Sequence, residues 1–384
     1  MRKIKYLILD KLFFLINKIV KKKKPKVDAK TIKKVLIIKY CCIGDVLMTT
    51  PLIKGIKQTF PKTKIDYCVG EWSKEVLKEN KSLNRIFIDK KNNRKELKRE
   101  LKNKYDLIFI LDLGISDQYF AYSLKPKILA GLDSMNRGFL LNYKMKHEVD
   151  DNIHETDAYL GVLESLGYKT KDKQMEMILT KEEKNFGLNF IKTNNLEDKK
   201  MVGIFPGGGH NPGTTMNLKQ WGSEKYAELV NKLTNNDFSI ILFGGKTDKE
   251  TIDNVKKLLN NKNKVIDASI KYNLRQSSAL ISTCDLFISN DSGPMHIASA
   301  LGVKTISIFG PTNANLLKPL GKNDFMFYTN KKCTPNYTNK NNNHDCHPCY
   351  RQIIGDFNYG CQTKDCMKKI LVEDVEKKVY EILQ

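Results

Sequence analysis

Asp285-Leu286-Phe287-Ile288-Ser289-Asn290-Asp291-Ser292-Gly293-Pro294-Met295-His296 decides how this chain is read. A short apolar run, Asp285–Ile288, gives way to a polar loop, and a helix opens at Pro294. Proline suits the first turn of a helix, and Ser or Asp suits its cap. The stretch is therefore a buried strand feeding the N-terminus of a helix. Free N–H groups and the positive end of the helix dipole make such a terminus fit for an anion. Capping alone explains every residue except His296, and the commoner fate of a histidine one turn into a helix is a satisfied place in the core.

The same alternation runs outward in both directions. Strands are expected at Met201–Phe205, Ser239–Phe243, Lys264–Ile266 and Thr305–Phe309, with helices at Ser223–Thr234, Lys249–Leu259, Leu274–Thr283 and Pro294–Leu301. An earlier series begins at Val35–Ile38 and continues through Ile65–Val69, Arg85–Ile88 and Leu107–Leu111, closing with a helix at His154–Leu166. Short apolar runs separated by helices imply doubly wound parallel sheets. Two Rossmann-like α/β domains follow, residues 31–170 and 181–367, with a Lys-rich linker at 168–182. A C-terminal helix in residues 368–384 is expected to cross back toward the first domain. Ligands of such sheets bind at the carboxyl ends of the strands, so the chemistry belongs in the loops there.

After Met201–Phe205 comes Pro206-Gly207-Gly208-Gly209-His210-Asn211-Pro212-Gly213-Thr214-Thr215, then Lys219 and Trp221. Glycines let the backbone approach a ligand and aim several N–H groups into one concavity. Gly207, Gly208, Thr214, Thr215 and Lys219 form a candidate diphosphate grip, with an ordinary surface loop as the alternative. Neither the Walker pattern nor Gly-x-Gly-x-x-Gly is matched. Asp291, Ser292, Gly293 and His296 face the same crevice from the neighbouring strand, and Phe309-Gly310-Pro311-Thr312 adds a third turn. In the first domain, Tyr40-Cys41-Cys42-Ile43-Gly44-Asp45 places Asp45 at a helix start. It reads either as an N-cap or as a carboxylate base facing the cleft.

Charge adds a second theme. The net charge is +23, and residues 1–34 hold thirteen basic side chains against Asp10 and Asp28. No nucleic-acid-binding motif accompanies them, so nucleic acid is excluded as a partner. Read as a helix, the extension (residues 1–30) sets one polar stripe against an apolar face, and Lys21–Lys24 follow. It suits an anionic membrane surface, through residues 1–24, or packing on the domain itself. It is too short and too charged to span a bilayer. Nine cysteines without an export signal point to a reduced, cytoplasmic setting.

Taken together, Gly44-Asp45 with Thr50-Pro51, the Pro-Gly-Gly-Gly loop with Lys219-Gln220-Trp221, Phe243-Gly244-Gly245, and Asn290 to His296 with Phe309 to Thr312 resemble glycosyltransferase family 9, the lipopolysaccharide heptosyltransferases. The resemblance runs from about Val35 to the C-terminus. It implies a GT-B fold, two Rossmann-like domains facing a cleft, with the acceptor on the first and the nucleotide sugar on the second. It implies an inverting, metal-independent transfer of a heptose-like sugar to a glycolipid or cell-surface glycan at the inner face of the cytoplasmic membrane. Asp45 would be the base, Lys39 and Asp112 would line the acceptor side, and Asp291 would contact the nucleotide sugar. No cofactor beyond the nucleotide-sugar substrate is required, in keeping with the lack of an Asp-x-Asp pattern near these loops. Where the family often has a ribose-binding Glu, this chain has Lys246-Thr247-Asp248, with Asp248 as a substitute. A nucleotide-sugar 2-epimerase and a non-catalytic nucleotide-sugar-binding protein are the rival functions.

Cys346, Cys349, Cys361 and Cys366, within a Cys-rich lobe at 333–366, have spacing tolerable for structural zinc. Disulfides or reduced packing thiols are the alternatives.

Overall fold

The computed structural model describes residues 13, 15, 16, 19, 20, 22–90, 92–148, 152–211, 214–329 and 364–384, with Thr214 described by its backbone alone. The chain divides after Met175 into two units, residues 1–175 and 176–384.

The first unit is a six-stranded sheet with helices between its strands. In chain order it comprises β1 (Lys34–Ile38), α1 (Ile43–Met48), α2 (Thr50–Thr59), β2 (Lys64–Gly70), β3 (Leu83–Asp89), α3 (Arg94–Leu101), β4 (Leu107–Ile110), α4 (Ile115–Ser123), β5 (Ile128–Asp133), β6 (Tyr143–Lys146) and α5 (Glu155–Glu164). The sheet order is β3-β2-β1-β4-β5-β6 and every pairing is parallel. Val35, Leu36, Ile37 and Ile38 are fully buried, as are Leu107 to Leu111. Burial on both faces explains why these strands read as continuous apolar runs.

The second unit repeats the plan. It comprises α6 (Lys181–Thr193), β7 (Met201–Phe205), the ribbon β8 (His210–Asn211) and β9 (Thr214–Thr215), α7 (Ser223–Asn235), β10 (Ser239–Leu242), α8 (Lys249–Lys257), β11 (Val265–Asp267), α9 (Leu274–Ile281), β12 (Leu286–Asn290), α10 (Gly293–Ala300), β13 (Lys304–Phe309), α11 (Ala314–Leu317), β14 (Asp324–Tyr328), α12 (Asp365–Lys368) and α13 (Val372–Leu383). Its main sheet runs β11-β10-β7-β12-β13-β14, again all parallel. Each sheet therefore reverses its winding at one point, between β1 and β4 and between β7 and β12. That is where ligands bind in doubly wound folds.

Two expectations are corrected. The last helix does not leave the second unit: Val375, Val379 and Leu383 of α13 are buried in the same core as Tyr226, Leu229 and Leu233 of α7. Its amphipathic face needs burial, and that core supplies it. Residues 181–193, partly assigned to the linker, form α6, whose start is fixed by a reciprocal pair: Glu183 N–H donates to the Thr180 hydroxyl (3.1 Å) and Thr180 N–H to the Glu183 carboxylate (2.8 Å).

Candidate functional site

The carboxyl edge of the second sheet brings three loops together. The loop after β7 begins Pro206-Gly207-Gly208-Gly209, with Gly208 at φ +105° and Gly209 at φ +85°. Both values lie in the left-handed region that side chains disfavour. A Cβ on Gly207 would lie 2.3 Å from a carboxylate oxygen of Asp248, and one on Gly208 would lie 3.1 Å from the Cβ of Ser292. The glycines therefore let this loop press against its neighbours.

Asn290, at the end of β12, holds that loop in place. Its Nδ2 donates to the carbonyls of Pro206 and Gly207, both at 2.8 Å. Its Oδ1 accepts from the backbone N–H of Trp221 and from the Tyr226 hydroxyl, both at 3.0 Å. The side chain is fully buried. Sequence reasoning passed over Asn290 as part of a motif, because its four partners lie far away in the chain.

Asp291 is the next junction. Its Oδ2 accepts from Lys219 Nζ at 2.7 Å and from the Thr312 hydroxyl at 2.7 Å. Burial pushes its carboxyl upward, but Lys219, the Thr312 hydrogen bond and nearby His296 hold it below the ordinary carboxylate value. One carboxylate thus ties all three loops, and Thr312 is a further residue to which no role had been given. His296, one turn into α10, is buried.

The first turn of α10 is built differently from a capped helix. Ser292 is the N-cap residue, yet no side chain caps the turn, and its hydroxyl shares a 2.8 Å hydrogen bond with the Ser289 hydroxyl. Among the described residues no side-chain cap is seen here, so N–H groups of this turn suit another acceptor. Thr215 lies on the ribbon that continues the Gly-rich loop, with its hydroxyl 3.4 Å from His210 Nδ1. Asp248 does not present its carboxylate as a ribose ligand would: its oxygens accept from Gly208 N–H and Gly245 N–H, both at 2.9 Å, and the residue is buried. It locks the glycine loops together.

The carboxyl edge of the first sheet gathers charges instead. Lys39 follows β1 and reaches Asp112, after β4, at 3.2 Å and Asp45 at 3.8 Å. Asp112 also accepts from Tyr40 N–H at 2.8 Å, so it is fixed from two directions. Glu155 at the start of α5 adds a third carboxylate and pairs with His147 at 3.2 Å. Burial raises the Asp45 carboxyl above its ordinary value; Lys39 opposes this, and Glu155 and Asp112 add to it. Burial would weaken the Lys39 ammonium, but Asp112, Asp45 and Glu155 hold it firmly charged.

Asp45 is not the N-cap of α1. Cys42 holds that position and Asp45 is the third helical residue, accepting from Cys42 N–H at a long 3.4 Å. A bond that long is a weak cap, and the carboxylate keeps 31% of its side-chain area exposed. The expectation of reduced cysteines also fails at this loop, where a disulfide joins Cys41 to Cys42. Of the proposed zinc ligands, Cys346, Cys349 and Cys361 lie outside the described residues. Cys366 sits on α12, partly buried against the second core. Among the described residues no cluster of His, Cys, Asp and Glu could hold a metal.

Each unit is thus a doubly wound parallel sheet with polar loops at its carboxyl edge. The chain belongs to glycosyltransferase family 9 (heptosyltransferase), whose family profile matches residues 94–347. It is 28% identical over 301 residues to lipooligosaccharide heptosyltransferase 2 of Campylobacter jejuni, covering 76% of this chain and 87% of that one. Lipopolysaccharide heptosyltransferase 2 of Salmonella typhimurium is 23% identical over 309 residues, with 75% and 85% covered. In fold, it is similar to a family 9 glycosyl transferase from Veillonella parvula (TM-score 0.74, 22% identity, 91% of this chain and 97% of that one). The E. coli ADP-heptose lps heptosyltransferase II is also similar (TM-score 0.71, 19% identity, 91% and 98%). Membership in a transferase family sets aside the epimerase and the non-catalytic readings.

Proposed function

We propose that this chain transfers a heptose-like sugar, with inversion, from a nucleotide sugar to a lipopolysaccharide-core or other cell-surface glycan. ADP-heptose is the donor, by analogy with its relatives, and the work is done at the inner face of the cytoplasmic membrane. The observation that carries the reading is the uncapped first turn of α10 lying against the Gly-rich loop, with Lys219 and Asp291 paired beside it.

Asp45 accepts the proton of the acceptor hydroxyl as the oxygen attacks the anomeric carbon. The new carbon–oxygen bond forms while the bond to the diphosphate breaks, and the electron pair leaves with the nucleoside diphosphate. A single carboxylate base suffices for such a direct displacement, in contrast to the paired carboxylates of glycosidases. Its raised proton affinity makes Asp45 a better base once ionised, and nearby Lys39 favours the ionised form. The acceptor enters on the side of Lys39 and Asp112.

The leaving group develops negative charge. Gly207 and Gly208 shape the loop around it, and Thr214, Thr215 and Lys219 supply donors. The Ser292–Gly293 amides face it at the helix terminus, and His296 buttresses that turn from behind. Lys219 with these donors takes the part that a divalent metal plays in other transferases.

The test is to screen ADP-, GDP- and UDP-sugars for thermal stabilisation, since a donor that binds the folded state raises its melting temperature. The stabilising donor is then supplied with a heptose-deficient core glycolipid. ADP-heptose should stabilise the protein and yield a product of inverted anomeric configuration. Stabilisation by UDP-sugars alone, or retained configuration, would sink the donor or the mechanism respectively.

A further inference from the structure

Among the described residues, ten large apolar side chains are exposed, and five of them lie on two neighbouring segments. Leu15 (54%), Ile19 (80%) and Val20 (39%) belong to the N-terminal segment, and Tyr119 (63%) and Tyr122 (41%) to α4. Single exposed apolar residues need no explanation, but a cluster does. The two segments touch: Lys22 Nζ donates to the Tyr122 hydroxyl at 3.3 Å and lies 4.4 Å from the centre of its ring.

The N-terminal segment is itself docked on the first unit. Phe13 stacks on Phe139 with centroids 5.9 Å apart. Asn142 Nδ2 donates to the Lys23 carbonyl at 2.8 Å, and the Tyr143 hydroxyl donates to the Pro25 carbonyl at 2.6 Å. One side of the segment is therefore satisfied by the protein while Leu15, Ile19 and Val20 still face out. Packing on the domain and presenting an apolar face are not alternatives here; the segment does both.

We propose that Tyr119 and Tyr122 of α4, together with Leu15, Ile19 and Val20, form one docking face for an anionic lipid bilayer. This rests on the reading of the basic N-terminal stretch as membrane-facing and extends it to a second element. Charge selects the occupant. Lys22, Lys23, Lys24 and Lys26 follow the apolar residues directly, and Lys125 and Lys127 follow α4. Asp106 is the nearby carboxylate paired with Lys127, at 2.7 Å, and Asp117 on α4 is engaged by Arg94 at 2.8 Å. Tyrosines at headgroup depth with a lysine rim match an anionic membrane interface. The spacing of Tyr119 and Tyr122, three residues apart, puts both on one face of α4. Because α4 follows Asp112-Leu113-Gly114 directly, docking would hold the acceptor end of the first unit close to the lipid.

The experiment is co-sedimentation of the full chain with vesicles of phosphatidylglycerol and phosphatidylcholine, against phosphatidylcholine alone. The parent should bind the anionic vesicles and lose binding as salt rises. Tyr119→Ser with Tyr122→Ser should weaken binding at least about fivefold, from the lost apolar burial, with an unchanged melting temperature. Replacing Lys22, Lys23 and Lys24 by Gln should weaken it by about fivefold per lysine. If deletion of residues 1–28 abolishes binding while the tyrosine variant binds like the parent, the basic segment is membrane-facing and the α4 face is not. No binding by the parent overturns both. Self-association that depends on the two tyrosines, without vesicle binding, overturns the lipid assignment in favour of a second copy. None of these outcomes bears on sugar transfer, which is assayed separately.

Discussion

The two sheets share one strand order and one switch point, yet their carboxyl edges are built from different materials. The first edge concentrates ionisable side chains: Lys39 among Asp45, Asp112 and Glu155. The second edge is mostly backbone, shaped by glycines and held by Asn290, with the buried ion pair Lys219–Asp291. The contrast matches two tasks. Moving a proton needs groups whose charge can change, whereas holding an anion needs donors that stay fixed. Under the proposed function the same scaffold would serve both, because the loops and not the strands carry the difference.

That contrast can be broken at several points. The largest effect on stability is expected at Asp291. Asp291→Ala leaves Lys219, only 14% exposed at its side chain, without its partner. A loss of about 3 kcal/mol of stability is expected, read from denaturant unfolding, together with weaker donor binding. The pH dependence has a definite sign. The Asp291 carboxyl is held below its ordinary value, so its contribution is present above about pH 4 and is lost as pH falls through the lowered value. Parent and Asp291→Asn should therefore differ fully at neutral pH and converge in acid.

At the other edge the effect is read on the pH profile of Lys39 variants. Lys39→Met removes the cation that opposes burial, Glu155 and Asp112 at the Asp45 carboxyl. The acid limb of the kcat/KM profile should move upward by about one pH unit. Lys39→Arg should restore it, and a profile that stays put would show that Lys39 serves only to pack the edge. A smaller effect on stability than at Asp291 is expected at Thr312, where Thr312→Val removes one hydrogen bond to a charged oxygen. About 1.5 kcal/mol of stability should be lost, with donor affinity reduced several-fold and the acid limb unmoved.

The strands buried on both faces were legible as apolar runs, among them β1, β4, β7 and β12. Strands β5, β6 and β14 were not. Gly131 interrupts β5 because a Cβ there would lie 2.4 Å from the Ile110 carbonyl, and β6 and β14 are only partly buried edge strands. The loops of the second edge were legible because glycine, proline and serine announce turns and helix starts. Their wiring was not, since Asn290 joins residues 64 to 84 positions away and Lys39 meets Asp112 across 73. Asp45 looked like a cap because acidic residues favour the first turn of a helix; the structure gives the cap position to Cys42.

The division of labour is tested most directly by measuring donor affinity and transfer rate on Asp45→Ala in one preparation. Transfer should fall by about a thousandfold or more while the donor dissociation constant stays within about twofold of the parent. Near-normal transfer, or a loss of donor binding as large as the loss of rate, would contradict the assignment of proton transfer to the first edge and anion binding to the second.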